Sequence, residues 1–149
     1  MNIVRLICAF VIGIMLLTSC TQKKTSVEEM DYRTDSEAIT NRFPSLENIV
    51  KCYWKADIIG RANFGPTSYW MKGFIEPDRD EVANIRTRYE WISASLEFVN
   101  GISPTITGCY EFDWKYSKEF SDDIKGASFI GEFYYDSKNG LLYFDLESN

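Results

Sequence analysis

The sequence predicts an α+β domain, an antiparallel C-terminal β-meander with one or two helices packed on one face. Three observations carry this reading. Tyr110, Phe112, Trp114 and Tyr116 alternate with Glu111, Asp113 and Lys115, the period of two expected of a strand with one aromatic face. Residues 129–136 and 141–146 are apolar runs flanking Ser137-Lys138-Asn139-Gly140, and Asn-Gly is a favoured pair for a tight hairpin. Upstream, Asp78 is followed by Glu81 at capping-box spacing, then by Val82, Ile85 and Tyr89 at helical spacing, which predicts a helix over 79–91.

The remaining elements follow in chain order. Residues 21–42 are polar, with few large apolar side chains and no regular period, and read as a tether. As a flexible coil it spans roughly 25 Å. Ser36 to Ile39 is the one stretch in it with a short helical tendency. The globular domain is assigned to 43–149. Leu46, Ile49, Val50 and Tyr53 show i, i+3, i+4, i+7 spacing, favouring a helix over 46–56, with a strand as the alternative because β-branched and aromatic residues abound. Gly60 and Gly65-Pro66 mark loops. Residues 67–75, rich in Tyr, Trp, Phe and Ile, read as a strand that Glu76-Pro77-Asp78 ends. Residues 94–99 read as a further strand, with Asn100-Gly101 as a turn.

The first twenty residues are of another kind. Arg5 is followed by an uncharged stretch with an apolar core over 6–17, short of the roughly 20 residues that span a membrane and of the order found in export signals. At its end stands Leu17-Thr18-Ser19-Cys20. This resembles the lipobox of bacterial lipoproteins. The resemblance implies that 1–19 is a cleaved signal peptide, that Cys20 receives diacylglycerol and a further acyl chain, and that the chain is held on a membrane of the cell envelope by that lipid. Thr21 follows Cys20 where an Asp would favour inner-membrane retention, so the expectation is the outer membrane, facing the periplasm. An ordinary signal peptide or an uncleaved anchor is the alternative.

An oxidising compartment gives the other cysteines a role. Cys52 and Cys109 lie outside the signal, and a disulfide between them is expected, worth about 4 kcal/mol by loop entropy. Two buried free thiols are the alternative.

Composition removes several functions. The chain contains no histidine, which excludes His-based nucleophilic catalysis and the common zinc sites. No phosphate-binding loop, dinucleotide fingerprint or nucleophile elbow is present. With 22 acidic against 16 basic residues and no basic stripe, nucleic acid is not an expected partner. No cofactor, metal or catalytic residue is assigned. Asp78, Asp80 and Glu81, and the pair Asp122-Asp123, are carboxylates that a glycosidase would need; helix-dipole stabilisation and a solvated loop account for them more simply.

The aromatic excess is the better functional signal. Tyr69, Trp70, Trp91, Trp114, Tyr134 and Tyr135 are binding candidates, because Tyr and Trp anchor interfaces and one small core does not absorb them all. Tyr134 and Tyr135, adjacent on a strand, face opposite sides. The expected function is a non-enzymatic module binding one protein, of inhibitor or immunity type. The alternatives are an envelope-assembly accessory and a cell-wall glycan hydrolase working through paired carboxylates.

Overall fold

A computed structural model describes residues 32–59 and 67–149; the signal sequence, Cys20 and Thr21 lie outside the described residues. Six antiparallel strands form one sheet in the order β1-β2-β6-β5-β4-β3. They are β1 (Ile49–Ile59), β2 (Ser68–Pro77), β3 (Ile92–Ser93), β4 (Trp114–Tyr116), β5 (Phe129–Asp136) and β6 (Leu141–Ser148). Among the described residues four α-helices accompany them: α1 (Ser36–Arg42), α2 (Arg79–Arg88), α3 (Glu97–Thr107) and α4 (Lys118–Lys125). The α+β class and the C-terminal antiparallel meander are those the sequence predicts.

The meander is built by its turns and its alternation. The β5–β6 register runs from Phe129↔Ser148 to Asp136↔Leu141. A four-residue loop closes it, with the Gly140 N–H donating to the Asp136 carbonyl at 2.9 Å. Gly140 sits at φ +75°, and no other residue of the loop has positive φ. The two-residue turn suggested by Asn139-Gly140 is therefore absent, since it needs positive φ at both positions. Asp136, fully buried, holds the loop instead: its carboxylate accepts the Asp113 N–H at 2.8 Å, the Lys138 N–H at 3.1 Å and the Asn139 side-chain amide.

Alternation sorts the sheet's side chains onto two faces. On one, Cys52, Trp54, Met71, Ile75, Phe133, Tyr135, Leu142, Phe144 and Leu146 pack beneath α1, α2 and α4 through Ile39, Ile85, Tyr89, Phe120 and Ile124. Phe43, following α1, is a hub, with ring centroids 5.1 to 5.9 Å from Phe133, Phe129 and Phe144. On the other face Phe74, Trp114 and Tyr143 pack with Val99 of α3. Helices thus cover both faces rather than one.

Four sequence expectations change. Residues 49–59 form an edge strand, not a helix. Only Cys52 and Trp54 of its eleven residues are buried, so the apolar spacing that suggests a helix mixes side chains of both faces, and Val50 is 57% exposed. Residues 97–107 form α3 where a strand and turn were expected. Its packing against Phe74, Trp114 and Tyr143, and the Trp114 Nε1–H bond to Asn100 Oδ1 at 2.7 Å, outweigh the local turn signal. The alternating run 110–116 pairs only from Trp114 onward. The folded part also begins before residue 43. Arg33 exchanges both backbone hydrogen bonds with Trp54 on the outer edge of β1 (2.8 and 2.9 Å), and Ile39 of α1 is fully buried, so residues 32–42 belong to the domain and not to a tether. Among the described residues, no helix is long and apolar enough to cross a membrane.

Candidate functional site

The two sheet faces decide which aromatics meet solvent. Trp114 is 3% exposed beneath α3 and Tyr135 is 1% exposed beneath the opposite helices, where the Tyr135 hydroxyl accepts the Arg86 Nε–H at 3.2 Å. Trp91 is half-buried, wedged 5.1 Å from both Phe120 and Tyr135, and its buried indole N–H finds no acceptor among the described residues. Tyr69 leans edge-on against Phe129 at 6.2 Å. Tyr134 rests on Tyr116 and Tyr143 at 5.7 and 6.4 Å. Five of the six candidates are thus built into the packing. One core does not hold them all; Tyr135, Tyr69 and Trp91 belong to the core on one side of the sheet, and Trp114 and Tyr134 to the core on the other.

Trp70 is different. It lies on the α3 face, at the end of β2 away from the Phe74–Tyr143 pair that α3 covers. Its cross-strand neighbours are Asp57 and Glu147. Lys72 and Lys55, themselves opposite each other, place their ammonium groups 5.1 and 6.0 Å from its ring centroid. Lys55 also lies 5.4 Å from the Tyr32 ring, whose phenol burial pushes above its ordinary pKa. Ile130, 59% exposed, extends the same face opposite Glu147. The half-exposed Trp70 indole thus lies between two lysines, with a carboxylate residue opposite it on each neighbouring strand, an arrangement that offers a ring face for stacking and charges around it for orientation.

A second concavity is polar. α2, α4 and the loop before β1 enclose a groove of about 420 Å³ that holds Glu47, Glu81, Arg88, Tyr89 and Asp123. Asp78 caps α2 by accepting the Glu81 N–H at 2.8 Å. The Asp78 N–H donates to the Asn48 carbonyl at 2.8 Å, so Glu81 is not needed for the reciprocal half of a capping box. Burial, followed by the charges of Glu47 and Asp78, pushes the Glu81 carboxyl above its usual range. Asp123 accepts the Tyr89 hydroxyl at 3.0 Å and faces Arg88 at 3.5 Å. Burial and that hydrogen bond push the Tyr89 phenol to about 12. Glu81 and Asp123, from two segments that the sequence treats separately, thus share one groove. Asp122 instead pairs with Lys118 and Lys125.

The cysteines do not form the expected bridge. Both are free thiols. Cys52 is buried on the face beneath α1, with its thiol pushed up to about 11 by burial. Cys109 follows α3, which packs on the other side of the sheet. Among the described residues, no group of three or more acidic or thiol side chains is placed to hold a metal ion. Set against protein-family models, curated proteins and solved structures, the chain matches none of them.

Proposed function

We propose that this chain is a lipid-anchored protein of the bacterial envelope, attached through Cys20, whose domain is a non-enzymatic binding module for one protein, of inhibitor or immunity type. The lipobox-like Leu17-Thr18-Ser19-Cys20 supports the anchor, and Thr21 supports the outer membrane and its periplasmic side. One observation carries the binding reading: Trp70, held between Lys55 and Lys72 on the part of the sheet beyond α3. Buried-on-contact Trp residues are among the strongest interface anchors. A photo-reactive side chain placed at position 70 in cells should give one discrete adduct, and one placed at exposed Thr87 none. Equal, diffuse labelling from both positions excludes this face. Palmitate labelling should vanish in Cys20→Ser; labelling that persists there refutes the anchor.

A second reading rests on the polar groove. A carboxyl biased toward its neutral form, near one held by a phenol and a guanidinium, is a division of roles used in glycoside hydrolysis. Release of reducing sugar from peptidoglycan that disappears in Glu81→Gln and in Asp123→Asn favours it, and no release in the parent chain excludes it.

A further inference from the structure

We propose that the groove between α2 and the β5–β6 hairpin binds a phosphate monoester. This groove, of about 330 Å³, is lined by Arg79, Arg86 and Lys138 against one carboxylate, Glu76, in a chain of net charge −6. The carboxylate is already engaged, since Lys51 lies 3.7 Å from it. Three cations gathered on one concavity of an acidic protein make a local field opposite to that of the whole molecule.

Two of the three cations are held by contacts, and the third is placed by its position on α2. Arg79 and Arg86 lie seven residues apart on α2, two turns or about 10 Å along one side of the helix. The Arg86 guanidinium is fixed from behind, with Nε–H donating to the Tyr135 hydroxyl at 3.2 Å and Nη2–H to the Ser137 carbonyl at 3.3 Å. Lys138 comes from the hairpin loop and is steadied by Glu111. Arg79 has no hydrogen-bond or ion-pair partner among the described residues. The loop is held close to the helix because Gly140 has no side chain: a Cβ there would lie 3.2 Å from Val82. Loop and helix therefore form a set groove, with Asn139 on its wall.

The ligand class follows from the charge. A lone carboxylate presents one negative charge, whereas a phosphate monoester presents nearly two and three acceptor oxygens. Two guanidinium forks and an ammonium satisfy the latter, because Arg binds phosphate bidentately and Lys as a point charge. The phosphate belongs either to a soluble metabolite or to a lipid head group, and the two are separated by experiment.

The test uses the full chain purified in detergent. Inorganic phosphate and acetate are titrated at matched ionic strength, followed by isothermal calorimetry. Vesicles of phosphatidylcholine with or without phosphatidic acid are then tested by flotation with the Cys20→Ser chain. Phosphate should bind at least tenfold more tightly than acetate. Arg79→Gln and Lys138→Gln should each weaken binding about tenfold without changing Tm. Arg79-dependent flotation with phosphatidic acid identifies a lipid source; Arg79-dependent binding confined to solution identifies a soluble one. Equal response to phosphate and acetate, or phosphate binding that survives both substitutions as an adventitious ion only, overturns the proposal.

Discussion

Replacing Ile39 by Ala tests whether residues 32–42 belong to the fold. Ile39 is fully buried among the side chains beneath the sheet. The substitution removes three carbons, at about 0.8 kcal/mol each in transfer from water. Phe43 and its aromatic partners sit in the same cluster and cannot fully collapse into the space, so a cavity contribution raises the expected loss to about 3–4 kcal/mol. For a domain of this size that lowers Tm by roughly 12–16 °C. Thermal and urea unfolding of the detergent-purified chain measure it, with exposed Asn41→Ala as the control, expected within about 0.5 kcal/mol of the parent. If Ile39→Ala costs no more than Asn41→Ala, α1 is not part of the cooperative unit and the domain begins at Phe43 as the sequence suggests.

Three further outcomes are expected. Asp136→Ala leaves the Asp113 amide before β4 and the Lys138 amide of the hairpin without their buried acceptor and should cost about 3 kcal/mol; urea midpoints measure this, and a loss under about 1 kcal/mol contradicts the anchoring role. Alkylation at pH 8 should label half-buried Cys109 in the native chain without reductant, and Cys52 only in denaturant, because burial holds the Cys52 thiol near 11; a chain in which neither reacts until reduced has the disulfide after all. The Glu81 carboxyl is raised by folding, so its stabilising contribution is complete below the unfolded value near 4.3 and is lost as pH rises through the folded value. Glu81→Gln should therefore raise Tm at pH 7 and leave it unchanged at pH 4; a rise at both pH values, or a fall at pH 7, breaks this assignment.

Legibility in the sequence followed how completely one face of each segment is buried. β5 and β6 carry Phe133, Tyr135, Leu142 and Phe144 in one core and Tyr143 in the other, and long apolar runs between turn residues are read without difficulty. The start of α2 was equally plain, because Asp78 makes the cap that its position suggests. β1 is the strand that the sequence offers only as the alternative to a helix, because an edge strand with two buried residues has no clean period. α3 was misread because its helical packing depends on Trp114 and Phe74, distant in sequence, which no local pattern encodes. The same distance hid the polar groove: Glu81 and Asp123 line one groove only because α2 and α4 cover the same face of the sheet. The aromatic candidates were visible as an excess, but their division between two cores followed from α3, so Trp70 could not be separated from Trp114 or Tyr135 beforehand.

The most direct test of the binding reading is the affinity of the partner captured at position 70 for the parent chain and for Trp70→Ala. Trp70 sits on the surface side of β2 with its two lysines and outside the buried cluster of its face, so its removal should leave Tm within about 2 °C while weakening binding at least thirtyfold, the roughly 2 kcal/mol of an interface anchor. An affinity within threefold of the parent contradicts the assignment of this face as the binding surface.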